Sequence, residues 1–116
     1  DQCFEGRHCH QSHGVISVIA NLLPGLMRKL MDEDNPQLNE RLQPMMSWLF
    51  HVPSPNALNT AMAMTGAVKP VFRLPYAQVD IEARKVALEI LSKFSIEERV
   101  GDLLELMNDE QFELCC

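Results

Sequence analysis

The stretch "HGVISVIANLLPGLMRKLM", residues 13–31, decides how this chain reads. It opens on Val15, Ile16, Val18 and Ile19, β-branched residues interrupted only by Ser17. β-Branching favours extended backbone, and a nearly unbroken apolar run fits a strand of a parallel sheet buried on both faces. The pattern then changes period. Asn21 to Gly25 make a turn, and Pro24 suits the first turn of a helix running to about Glu33, with Arg28 and Lys29 near its end. Residues 14–20 are thus expected to be the only substantial strand of the chain.

Outward from this stretch the pattern is helical. Residues 3–12 are polar and weakly helical, and Gly14 closes them. Asp34, Asn35 and Pro36 form a turn. A helix is predicted over 37–51, with Leu38, Leu42, Met45, Met46, Leu49 and Phe50 on one face and Pro44 bending it. "HVPSPN", 51–56, reads as a rigid extended linker. Residues 57–66 form a helix rich in Ala and Met that Gly66 stops. Its methionines read as core filler between helices rather than as a binding groove. "VKPVFRLPYAQV", 68–79, is extended. Asp80 caps a helix over 81–94 whose apolar face is Ala83, Val86, Ala87, Ile90, Leu91 and Phe94. The tail, 95–116, is acidic.

One strand cannot pair its own backbone groups. The pattern therefore reads as the end of a larger α/β structure. The chain opens on Asp1 rather than Met, which fits a processed or incomplete polypeptide.

Composition narrows the function classes. The 116 residues are 47% apolar and 22% charged, a globular balance. Ten basic residues against sixteen acidic give a net charge of −6 with no basic stripe, so no nucleic-acid partner is expected. No apolar run approaches the ~20 residues of a membrane span, and no signal-peptide pattern opens the chain. Cys3, Cys9, Cys115 and Cys116 are expected as reduced thiols in an intracellular setting, since a bridge between neighbours such as Cys115 and Cys116 is strained. Cys3, Cys9, His8, His10 and His13 match no standard zinc spacing and read as surface or packing residues; no metal is expected. Cys115 and Cys116 lack the spacing of a prenylation signal and read as a frayed end.

The strings "GVISVIANLLPGLMRKLM" and "WLFHVPSPNALNTAMAMTGAVKPVFRLPY" closely resemble the C-terminal part of the 4-hydroxy-tetrahydrodipicolinate synthase (dihydrodipicolinate synthase) family. The acidic "VGDLLELMNDEQFEL" is similar to the extension of plant-type members. The likeness runs over essentially the whole chain. It implies a (β/α)₈ TIM barrel followed by a helical region, assembled into homodimers and homotetramers. Residues 1–34 would be the barrel's end (helix 7, strand 8, helix 8) and 35–116 the C-terminal helical region with its acidic tail. The fold class implied is α/β for the whole, mostly α within this chain.

The implied reaction condenses pyruvate with aspartate semialdehyde in lysine biosynthesis, through a Schiff base on a lysine and without cofactor or metal. An iminium is an electron sink that a carbonyl alone is not. The Schiff-base lysine and the relay tyrosine and threonine belong to upstream strands, so no catalytic residue is expected here. Lys29, Lys69, Lys85 and Lys93 fall on helices or in a late loop and do not substitute. One contact carries over: the isoleucine of "GVIS", here Ile16, touches pyruvate through its backbone. From its residues alone Ile16 would read as barrel core. The chain departs from the family pattern at Ile19, usually Thr, and at Val52 and Ser54 of "VPSP", usually "EPNP".

A plant or algal source would put the protein in the chloroplast stroma; otherwise it is expected in the cytoplasm. Two other readings follow from the same residues. One is a non-catalytic truncated relative acting as a binding or regulatory protein. The other is a different pyruvate aldolase of the superfamily. "FRLPY" and the plant-like tail favour the synthase.

Overall fold

The computed structural model describes residues 3–116. Its elements follow one another as α1 (Cys3–His10), α2 (Pro24–Asp32), α3 (Pro36–Leu49), α4 (Asn56–Met64), β1 (Val71–Arg73), α5 (Ile81–Leu91) and β2 (Glu113–Cys115), with 3-10 turns at Ile19–Asn21 and Asp109–Gln111. Most of the regular structure is helical, as the periodicity predicts.

Local chemistry sets each helix end. Pro36 opens α3 after Asn35, whose side chain accepts the Leu38 N–H at 3.0 Å. Asp80 does the same for α5, accepting the Ala83 N–H at 2.8 Å. Pro24 opens α2, and the last carbonyls of α2 are taken by Arg7 from α1: Leu30 O at 3.0 Å, Glu33 O at 3.3 Å, and Met31 O between them. Gly66, at φ +73°, reverses the chain after α4, so that its N–H reaches Ala63 O and the Ala67 N–H reaches Met62 O, each at 2.9 Å. α3 runs through Pro44 because that residue is exposed and its missing donor falls on the solvent side.

The core lies where α2, α3, α4 and α5 meet. Leu22, Leu23, Leu30, Leu42, Met45, Leu49, Met64 and Leu91 are fully or almost fully buried there. α4 contributes Ala57, Ala61 and Ala63 beside Met64, which is the packing role expected of this segment. Trp48 donates its indole N–H to Ala83 O at 2.9 Å and ties α3 to α5. Arg41 of α3 forks onto Glu98 at 2.7 and 2.8 Å, reaches Lys93 O at 3.1 Å, and lies 4.7 Å above the Phe94 ring.

Four expectations are corrected. Residues 14–20 form no strand: the chain is irregular through Ser17 and then coils into the 3-10 turn at Ile19–Asn21. A strand needs an edge to pair with, and among the described residues none lies beside this segment. The sheet that does form joins β1 and β2 in parallel, with Val71 opposite Glu113, Phe72 opposite Leu114 and Arg73 opposite Cys115. The tail is therefore not simply frayed, because its end closes this ladder. Finally, the buried side of α5 is rotated from the expected face: Val86 is exposed, Ile90 is half-buried, and Arg84 is fully buried beside Ala87 and Leu91. Phe50 likewise points to solvent, while Trp48 takes the interior position.

Two predictions follow from these contacts. The Glu98 carboxyl is held at about 2, down from 4.5, first by the hydrogen bonds of Arg41 and then by the Ser95 N–H. Its folded value lies below its unfolded one, so the stabilisation is complete above pH ~4.5 and is lost as pH falls toward 2. Urea midpoints of the native chain and Glu98→Gln should converge across that window and stay apart above it. Gly101, at φ +88°, passes so close to the backbone of Thr65 that a Cβ would sit 2.0 Å from Thr65 O. Gly101→Ala should cost roughly 2–4 kcal/mol in denaturant unfolding, and more than Gly66→Ala, whose new methyl meets only the Leu103 side chain.

Candidate functional site

The site expected from the sequence is the segment around Ile16, and its two ends are fixed while its middle is bare. At the upstream end Gln11 takes a left-handed conformation, φ 54°, and the Ser12 N–H bonds Gly6 O at 3.0 Å, turning the chain out of α1. At the downstream end Ser17 Oγ accepts the Ala20 N–H at 3.1 Å, and the Asn21 side chain donates to Val18 O at 3.0 Å. Ile19 is fully buried in the helical core and anchors the turn. Between these ends, among the described residues, the backbone groups of Gly14, Val15 and Ile16 make no hydrogen bond. The Ile16 side chain is as exposed as in a free chain, at 103%. Among the described residues nothing stands within 4 Å of the position a Cβ would take on Gly14.

The four lysines of the chain are all exposed. Lys85 pairs with Glu82 at 2.7 Å on the surface of α5. None has the apolar enclosure that activates an amine toward a carbonyl. His8 stacks on Phe4, with ring centres 4.4 Å apart, and meets Asp34 at 3.2 Å. Cys9 and His10 beside it are exposed, as is His13. Among the described residues no three His, Cys, Asp or Glu side chains converge as metal ligands do. Cys9, Cys115 and Cys116 are free thiols, and Cys115 Sγ lies 3.5 Å from Phe72 O across the sheet. Among the described residues no helix is long and apolar enough to cross a membrane.

Arg84 is the polar residue that periodicity alone misses. Its guanidinium is fully buried, donates to Met107 O and Asp109, and lies 5.2 Å above the Phe112 ring. The available signal was its spacing. In "IEARKVALEIL" Arg84 sits three residues before Ala87 and seven before Leu91, on the stripe that turned inward. Asp109 also lines an open recess of about 330 Å³ with Ile81, Asn108 and Glu110.

A profile of the Dihydrodipicolinate synthetase family matches residues 1–94. The chain is 45% identical to the chloroplastic 4-hydroxy-tetrahydrodipicolinate synthase of Nicotiana tabacum, with 98% of this chain and 32% of that protein covered. It is 45% identical to chloroplastic 4-hydroxy-tetrahydrodipicolinate synthase 1 of Arabidopsis thaliana over the same shares. The 4-hydroxy-tetrahydrodipicolinate synthase of Maridesulfovibrio salexigens is 33% identical, over 72% of this chain and 30% of that protein. The chain thus spans about a third of the length of the curated relatives it matches. Taken with the profile match over most of its length, this likeness shows that the chain belongs to the dihydrodipicolinate synthetase family.

Proposed function

We propose that this chain is the C-terminal portion of a pyruvate-dependent synthase that condenses pyruvate with aspartate semialdehyde to 4-hydroxy-tetrahydrodipicolinate, on the route to lysine. The single observation that carries the reading is the bare segment Gly14–Ile16. It combines an apolar, β-branched sequence with backbone groups that have no partner among the described residues. Such a segment is completed by neighbours on both sides, and in a (β/α)₈ barrel those are strands seven and one. Residues 1–34 are then the barrel's last part and 35–116 its helical appendage. The anchors at Ser17 and Asn21 hold the segment's downstream end, which faces the barrel mouth in this fold.

In that setting Ile16 is a substrate contact through its backbone rather than a reacting group. Pyruvate forms an iminium with an upstream lysine, loses a proton to become an enamine, and attacks the aldehyde carbon. A backbone amide fixed at the mouth orients the bound three-carbon unit without taking part in proton transfer. Homo-oligomeric assembly belongs to the same reading, as does residence in the plastid stroma, which the chloroplastic relatives support.

Borohydride trapping with pyruvate tests this directly. The 116-residue chain should give no reduced adduct, whereas the longer polypeptide of the same reading frame should give one, on a lysine upstream of Asp1. An adduct located by mass spectrometry on Lys29, Lys69, Lys85 or Lys93 would reject the assignment.

A further inference from the structure

Arg84 is fully buried, and both groups that accept its hydrogen bonds lie beyond Gly101: the Met107 carbonyl and the Asp109 carboxylate. The ring beneath its guanidinium, Phe112, belongs to the same stretch. Among the described residues its Nε has no hydrogen-bond partner. Among those residues the charge of buried Arg84 is balanced by the C-terminal tail.

The rest of the tail's attachment is light. The Leu103 N–H caps Thr65 O at 3.2 Å and the Glu105 N–H caps Met64 O at 3.1 Å. β2 adds the Glu113 N–H to Pro70 O and the Leu74 N–H to Cys115 O, each at 2.8 Å. Of the tail's apolar side chains only Met107 is buried in the core; Leu104 and Phe112 are half-buried against it, and Leu103, Leu106 and Leu114 are exposed. Two strands of three residues are marginal without further support. Beneath the tail the helices close on each other without it, through Trp48 to Ala83 and the packed faces of α3, α4 and α5.

We propose that residues 102–116 form a strap that lifts from the helical body as one unit, with Arg84 as the latch that holds it down. Gly101, the left-handed residue pressed against Thr65, is where the strap leaves the body. Opening hydrates the guanidinium and uncovers Phe72, which is buried in the closed form. The latch joins a fully buried guanidinium to the shielded Met107 carbonyl and to the Asp109 carboxylate, which is exposed and meets the charge from the solvent side.

Hydrogen exchange on the full 116-residue chain tests the strap. The amides of Leu74 and Glu113 should exchange together, faster than those of Met45 and Met46 in α3. Asp109→Asn keeps the surface shape and removes the latch's counter-charge. It should speed the Leu74 and Glu113 amides roughly tenfold and leave the α3 amides unchanged. Arg84→Lys, which keeps the charge but loses the fork, should give the same pattern with a smaller factor. Equal rates for strap and α3 amides in the native chain would overturn the proposal. So would an Asp109→Asn variant that changes neither set, or both by the same factor.

Discussion

The N–H and C=O groups of extended backbone can be paired only by another segment lying alongside. Among the described residues none lies beside Gly14–Ile16, and the N-terminal third of the molecule is arranged around that constraint. The chain is irregular through Ser17, and Gly14–Ile16 are exposed to solvent. At Val18 it coils, so that Ile19, Leu22 and Leu23 drive into the helical core while Val15 and Ile16 remain outside. α1 then closes over α2 through Arg7, which supplies the donors that the last carbonyls of α2 lack.

Three arginines bind distant parts of the chain, each in a different dielectric setting. Arg7 is half-buried and serves a helix end. Arg41 and Glu98 join α3 to the loop after α5 at the surface, where geometry and a ring beneath the guanidinium make the pair more than a loose contact. Arg84 is inside, where an enclosed charge is costly without close partners, and among the described residues its Nε makes no hydrogen bond. Its two acceptors and the Phe112 ring come from a single stretch of tail, so the order of that tail and the solvation of that charge are one problem.

Family membership gives the bare segment a context. The chain covers about a third of its relatives' length, and the backbone of Gly14–Ile16 makes no hydrogen bond among the described residues. The helical region packs a core of its own.

Helices were legible because their signals are local. Pro24, Pro36, Asn35, Asp80 and Gly66 act within four residues of themselves, and the apolar stripes of α3 and α4 repeat at the helical period. The Ile16 segment was legible only as a β-branched apolar run, and the strand expected of it did not form. Whether that run became a strand was decided by something no local signal encodes, the presence of neighbouring edges. The same holds for β1 and β2, which are some forty residues apart in sequence and too short to announce themselves. Arg84 shows the physical reason most plainly. An arginine on a helix reads as solvated, and only the tail that folds back over α5 supplies the acceptors that let it turn inward.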